Sequence, residues 1–505
     1  MIKNYKFSIS LIISILIVFS IFNSSNALEF DINKAEGINN ILQNPIYLNA
    51  IVNESRYNII YPLSTFPSLV EKDSNFIISF DAFEFEKINV IITAAYEPVE
   101  DTILLDNINY WEENSLWQIE VNVPSSTPEE LYNITLLFEN DGESYKCSQP
   151  RALNVYNKFT DNFSFIHIAD IHYGDPRGLV ESIKETIGFK SIKRCIKEIN
   201  LLHPDFVLIS GDIVFGQLYP FEYKREYQKC YDLLQTFDVP TFLVPGNHDG
   251  YNRILEDGLE YWQEYFGPLF YSFNYGNYHF TGVNSFDMSK MLRLTFLFIP
   301  LNWGGSISNE QLDWIENDLD SSDSQLNFMF LHHNPLWDTT SNSLIGKGYE
   351  NRENLLSLIY ENEVDMVLAG HNHLDTVNIE NEVIFITTTT PESEISTEDG
   401  YWGYRLIEIN DGAIASYNYK EPKYSIPSYQ IDYKIYLYDD FAEAFVNNSL
   451  DIDIDAYLKF IMPKGTYNID NGEIIMQRDN EGISEIYVKS KIQSLNNESI
   501  SIFKI

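Results

Sequence analysis

Residues 163–172 read FSFIHIADIH, and residues 206–212 read FVLISGD. In each, a short apolar run stops abruptly at an acidic residue. Continuous apolar runs of this length, closed by Gly or Asp, predict buried strands rather than amphipathic ones. A third run, Thr241 to Val244, leads into Gly246-Asn247-His248-Asp249. Between the first two runs, Ile192, Cys195, Ile196 and Ile199 recur at helical spacing. Farther on, Ser308 and Gln311 form a capping-box start to a helix carrying Leu312, Ile315 and Leu319. Strand alternating with helix predicts an α/β layered domain over residues 158–420. Ligands of such domains gather beyond the carboxyl ends of the strands, where these acidic and imidazole residues fall.

Outward from that segment the period changes to two. Trp117, Ile119, Val121 and Val123 alternate with polar neighbours, as do Tyr132, Ile134, Leu136 and Phe138, with Asn133 on the wet face. Residues 28–157 therefore predict a β-sandwich of immunoglobulin or fibronectin type. After Glu421, Tyr429, Ile431, Tyr433, Ile435 and Leu437 repeat the alternation, and Asp470-Asn471-Gly472 predicts a hairpin turn. Residues 421–505 are expected to form a small C-terminal β domain. At the other end, Lys3 and Lys6 precede an apolar run from Phe7 to Phe22 and the small-residue stretch Ser25-Asn26-Ala27. Residues 1–27 thus predict a signal peptide cleaved after Ala27 and a secreted, extracellular protein. The run is short for a retained bilayer anchor and no other stretch is apolar enough to span, so no membrane span is expected after its removal.

The 505 residues carry 33 Lys and Arg against 74 Asp and Glu, a formal net charge of −41. Such a surplus repels nucleic acid and anionic membranes, so neither is an expected partner. With three cysteines, disulfides cannot be the main framework. Cys195 and Cys230 either bridge two helices or remain buried thiols. Asn-x-Ser/Thr patterns stand at Asn53, Asn133, Asn162, Asn447 and Asn497.

Five clusters carry the chemistry: Asp170-Ile171-His172, Gly211-Asp212, Gly246-Asn247-His248-Asp249, His332-His333-Asn334-Pro335 and Gly370-His371-Asn372-His373. Carboxylate, imidazole and amide oxygen together suit borderline divalent metals and exclude a Cys-rich structural zinc site. This ordered set resembles the signature of calcineurin-like metallophosphoesterases, over roughly residues 163 to 418. The resemblance implies a β-sandwich flanked by helices and two divalent metal ions (Mn, Fe, Zn or Co). It places Asp170, His172, Asp212 and His373 on one ion and Asp212, Asn247, His332 and His371 on the other, with Asp212 bridging. It further implies hydrolysis of a phosphate-ester substrate, monoester or diester, by a metal-bridging hydroxide. His248 is then the candidate acid or phosphoryl-oxygen stabiliser and Asp249 the residue that orients it. Phe215 stands where purple acid phosphatases need a tyrosine ligand, and His172 stands where they usually carry glycine, so that branch is not expected.

Other polar residues have plainer readings. His167, His279 and His333 are expected to pack or line the pocket, and Asp175 and Arg177 to contact substrate or lie in solvent. Asp451, Asp453 and Asp455 predict a solvated strand face rather than a calcium site. The apolar segment from Asp287 to Gly305 predicts a lid or pocket wall, or the filling of a core gap. A rival function is a surface adhesion protein, with the β-modules making surface or matrix contacts and the α/β domain as scaffold.

Overall fold

The computed structural model describes residues 57–505, apart from 83–84, 96–101, 106–108, 114–115, 176–186, 218–221, 254, 297–298, 337–347, 392–400 and 481. The leader with its cleavage position at Ala27, Asn53 and Arg177 lie outside the described residues. The described residues fall within one compact unit.

Two six-stranded sheets position the site. The first runs Thr241–Val244, Phe206–Ser210, Phe163–Ile168, Gly403–Asn410 and Ala413–Ser416, with the short Ile426–Pro427 also on Gly403–Asn410. Its first three strands are parallel. In the second, Tyr278–Val283, Leu326–Leu331, Met366–Ala369 and Val383–Thr387 are parallel, flanked by antiparallel Tyr271–Tyr275 and Thr376–Glu380. The sheets face each other through aromatic rings: Phe165 lies edge-on to Phe280 and Phe328, and Phe242 stacks on Phe273 at 3.6 Å. Helix Ile187–Leu202 covers the outer face of the first sheet with Ile192, Cys195, Ile196 and Ile199. Helices Asn309–Asp320 and Arg352–Glu361 cover the second. The layers are thus helix, sheet, sheet, helix: the alternation predicts an α/β layered domain, and the family resemblance implies the two sheets flanked by helices.

Helix Asn309–Asp320 begins as half a capping box. The Ser308 hydroxyl accepts from the Gln311 amide at 3.2 Å. The Gln311 side chain turns away from Ser308 to exchange hydrogen bonds with the backbone of Asn284. Two backbone groups after Val283 are thereby satisfied, which outweighs closing the box.

Residues 57–156 build a four-stranded and a five-stranded sheet enclosing Ile78, Phe80, Ile119, Val121, Ile134, Leu136 and Phe138, all fully buried. The Phe66 ring tilts against Tyr271 at 4.2 Å, and Arg151 donates to the Val239 carbonyl, so this sandwich shares buried contacts with the central layers. Residues 431–504 build a four-stranded and a three-stranded sheet whose core, including Val446, Phe460, Ile486 and Ile502, is continuous with that under helix Ile187–Leu202. The Asp470-Asn471-Gly472 turn does not close a hairpin. Tyr467–Asp470 pairs with Asn496–Lys504 and Glu473–Asn480 with Ile483–Ile492, so the turn passes the chain from one sheet to the other. Hydrogen bonds from Asn471 to the Ser499 carbonyl and from Ser490 to the Asn471 carbonyl hold it there. Cys147, Cys195 and Cys230 are buried free thiols, pushed up by burial. Among the described residues, no helix is long and apolar enough to cross a membrane.

Candidate metal centre

Five of the seven parallel strands in the two six-stranded sheets end one to three residues before a cluster residue. Ile168 precedes Asp170, Ser210 precedes Asp212, Val244 precedes Asn247, Leu331 precedes His332 and Ala369 precedes His371. Asp170, His172, Asp212, His371 and His373 all adopt positive φ, between 49° and 74°. Non-glycine residues visit this region at a cost, and five together mark backbone bent to aim side chains at one point. The neighbouring glycines let the loops touch. A Cβ on Gly246 would stand 2.2 Å from Asp212 Oδ1, and one on Gly370 would stand 2.5 Å from the Ala169 Cβ.

The side-chain atoms gather in two groups. In the first, His172 Nε2 and His373 Nε2 are 3.1 Å apart, and Asp170 Oδ1 lies 3.6 Å and 3.3 Å from them. In the second, His332 Nε2 has Asn247 Oδ1 at 3.1 Å, His371 Nδ1 at 3.2 Å and Asp212 Oδ2 at 3.1 Å. The same Asp212 Oδ2 is 3.6 Å from His172 Nε2, which puts it between the groups. Donor atoms bound about 2.1 Å from a cation at right angles stand about 3 Å apart, so these spacings fit cation-ligand sets. One N–H on His332 cannot satisfy three acceptors. Asp170 Oδ1 is buried with no hydrogen-bond partner, as a ligand oxygen awaiting a cation would be. Asp170, His172 and His373 form one potential metal-holding group, and Asp170, Asp212 and His332 another. The residues present therefore fit divalent metal.

Supporting hydrogen bonds fix which atoms face inward. The Ser210 carbonyl takes the Nδ1 proton of His332, leaving Nε2 for the site. Asn247 Nδ2 donates to the Tyr251 hydroxyl at 2.7 Å, which turns Oδ1 toward His332. Asp170 Oδ2 accepts from the His371 amide and Asp212 Oδ1 from the His248 amide. Burial pushes the Asp212 carboxyl up, but the facing His332 and His248 hold it well below the usual carboxylate range. Burial pushes His332 down, but Asp212 wins and raises it to about 9. The second group thus concentrates negative charge where a cation would replace a proton.

His248 sits partly buried beside this charge, its ring 4.6 Å from that of His172. Its Nδ1 bonds the Phe215 carbonyl at 2.7 Å, and burial lowers it to about 4. Asp249 does not touch the His248 ring. It accepts instead from the backbone amides of Ile213, Val214 and Gly246, stapling two cluster loops together. Orientation of His248 falls to the Phe215 carbonyl, a backbone group that no side-chain pattern reveals. The Phe215 ring packs 5.2 Å from His248 and supplies no ligand oxygen.

His333 has both ring nitrogens engaged, Nδ1 with the Ser285 hydroxyl and Nε2 with the Trp303 carbonyl. It lines the site without a free nitrogen for a cation, although it lies near His332 and His371. His167 bonds Thr388 and Ser210 behind the site, and His279 bonds Asn274 and Asp318 away from it. Asp175 is buried. Asp451, Asp453 and Asp455 are paired with Lys420, Lys491 and Lys489, which accounts for their charge without calcium. Two supporting groups escaped the sequence reading. Tyr251 stands four residues after Asn247, a helical spacing visible in retrospect. Asp375, two residues beyond His373, pairs with fully buried Arg405 and accepts from the Thr389 and Ser425 amides.

Residues 163–375 match the family described as calcineurin-like phosphoesterase. The chain is 26% identical over 213 residues to a "Probable glycerophosphodiester phosphodiesterase" of Arcobacter nitrofigilis, covering 41% of this chain and 72% of that one. It is 26% identical over 216 residues to a "Probable cyclic nucleotide phosphodiesterase" of Vesicomyosocius okutanii, covering 42% and 79%. The solved structure of PhoD aligns with TM-score 0.38 and 11% identity over 78% of this chain and 89% of that one. Residues 163–375 thus match the calcineurin-like phosphoesterases, and the protein is a metal-dependent phosphoester hydrolase.

Proposed function

We propose that the protein is a secreted phosphodiesterase with a dinuclear metal centre. The observation that carries this reading is the single Asp212 oxygen shared by two groups of converging ligand atoms. Asp170, His172, Asp212 and His373 would hold one divalent cation and Asp212, Asn247, His332 and His371 the other. Bound there, two cations supply positive charge for the phosphoryl oxygens and a hydroxide equivalent at neutral pH. The remaining work belongs to side chains. His248, neutral in the free protein and donating Nδ1–H to the Phe215 carbonyl, offers Nε2 to a phosphoryl or leaving oxygen. The bound ester's negative charge favours its protonated form, so a proton is at hand for the departing alkoxide. Asp249, Tyr251 and Asp375 hold the loops and contribute geometry rather than proton transfer.

A diester is favoured because the relatives matched over this segment are named as diesterases. Residues 28–157 and 421–505 are read as β-modules flanking a catalytic domain over 158–420, and residues 1–27 as the removed leader. Turnover of a chromogenic diester and monoester by the exported protein, compared before and after metal removal, tests the reading. Activity that survives complete metal removal would contradict it.

A further inference from the structure

Several large apolar side chains stand in solvent between residues 255 and 303. Leu255, Met291, Phe296, Ile299, Leu301 and Trp303 are all exposed, Ile299 to 60%. Leu255 lies in one small hairpin, Phe296 and Ile299 lie in a second, and Leu301 and Trp303 follow the second. Asn252–Arg253 pairs with Glu256–Asp257, Thr295–Phe296 pairs with Ile299–Pro300, and Asn252 bridges Leu294 to set the hairpins side by side. From 299 to 303 burial alternates: Ile299, Leu301 and Trp303 face water while Asn302 is buried. Phe296 lies directly opposite Ile299 and shares its face. The result is a cluster of exposed apolar side chains at Phe296, Ile299, Leu301 and Trp303.

One end of that cluster reaches the site. The Trp303 carbonyl accepts from His333 Nε2 at 3.0 Å, and the His333 ring lies 4.3 Å from that of His371. The segment is also bolted down, since Arg293 donates to the Gly250 carbonyl and its guanidinium pairs with both oxygens of Asp257. Filling a core gap does not explain side chains that remain in solvent. An exposed apolar cluster reaching a catalytic centre marks a ligand surface. The net charge of −41 disfavours anionic membranes as the occupant.

We propose that this cluster binds the acyl or alkyl chain of a lipid phosphodiester whose phosphate sits at the metal centre. The proposal rests on the phosphodiesterase reading and names its substrate class. The test compares methyl 4-nitrophenyl phosphate with hexadecyl 4-nitrophenyl phosphate, below micelle-forming concentration, on metal-loaded full-length protein and its Ile299→Asn/Leu301→Asn variant. These substitutions lie on the surface, where folding tolerates them. The expected result is a kcat/KM at least tenfold higher for the hexadecyl ester, with the long-to-short ratio falling about tenfold in the variant, as losing two apolar contacts implies. A ratio near one in the wild type, or a ratio unchanged in the variant, would overturn the proposal while leaving the phosphodiesterase reading intact. A preference that appears only when phosphatidylcholine vesicles are added would replace single-chain binding by surface docking. Turnover of neither ester would overturn both readings.

Discussion

The Tyr251 hydroxyl lies 2.7 Å from Asn247 Nδ2 and accepts its hydrogen bond. That contact decides which way the amide points, and hence whether Asn247 Oδ1 stands with His332, His371 and Asp212. Substituting Tyr251→Phe frees the amide to rotate without removing the ring that packs against His248. Loss of a supporting hydrogen bond of this kind costs about 10–100-fold in metal affinity or activity. Metal titration by calorimetry, with turnover measured at saturating metal, should show a weakened second equivalent and a near-normal first. Equal weakening of both would assign Tyr251 a general packing role.

His248→Asn should lower kcat by about 10²–10⁴-fold, the usual range for a lost general acid. Metal content should stay unchanged, because His248 sits outside both proposed ligand sets. The discriminating substrate is an ester with a very good leaving group, which needs little protonation. A deficit that shrinks with that substrate supports proton donation, and a constant deficit points to binding of a phosphoryl oxygen.

Asp375 and Arg405 form an ion pair without solvent exposure, and Arg405 also donates to the Tyr417 and Lys423 carbonyls. Removing one member of a buried pair strands the other. Asp375→Ala is therefore expected to destabilise the fold by about 3–5 kcal/mol. Denaturant unfolding monitored by tryptophan fluorescence reads the loss directly. A change below about 1 kcal/mol would mean that Arg405 finds replacement partners.

Asp257 and Arg293 bring pH into the account. Burial pushes the Asp257 carboxyl up, but the hydrogen bonds and charge of Arg293, with Lys290, hold it below its ordinary value. A depressed carboxyl contributes stability that is present above its unfolded value and is lost as pH falls through the folded one. The pair's contribution should therefore be intact at pH 5, begin to fall below the unfolded value of about pH 4, and be lost as pH drops through the lower folded value. Thermal unfolding from pH 6 down to pH 3 should show a smaller acid loss in Asp257→Asn than in wild type. Parallel curves for the two proteins would place the acid sensitivity elsewhere.

Much of the centre was legible because buried parallel strands advertise themselves as uninterrupted apolar runs, and polar residues at their ends have few structural reasons to be there. The alternation in Trp117–Val123 and Tyr132–Phe138 was equally plain, since one face of each strand is buried at Ile119, Val121, Ile134 and Leu136. What escaped depended on partners distant in sequence. The Asp470–Gly472 turn has ordinary hairpin residues, and only the pairing of Tyr467–Asp470 with the final strand reveals that it joins two sheets. Asp249 follows His248 directly, yet its carboxylate serves amides 36 residues away, at Ile213, and next to them at Val214. Backbone carbonyls such as those of Phe215 and Ser210 orient imidazoles without leaving any side-chain signature.

The most direct test is metal stoichiometry coupled to turnover. Purified protein, stripped of metal and titrated with Mn²⁺, Zn²⁺ or Fe²⁺, should regain phosphodiester hydrolysis as two equivalents bind. Asp212→Asn should then lose both high-affinity binding and turnover, because its oxygen stands between the two ligand groups. Full activity with a single equivalent, or wild-type activity in Asp212→Asn, would contradict the shared-ligand centre.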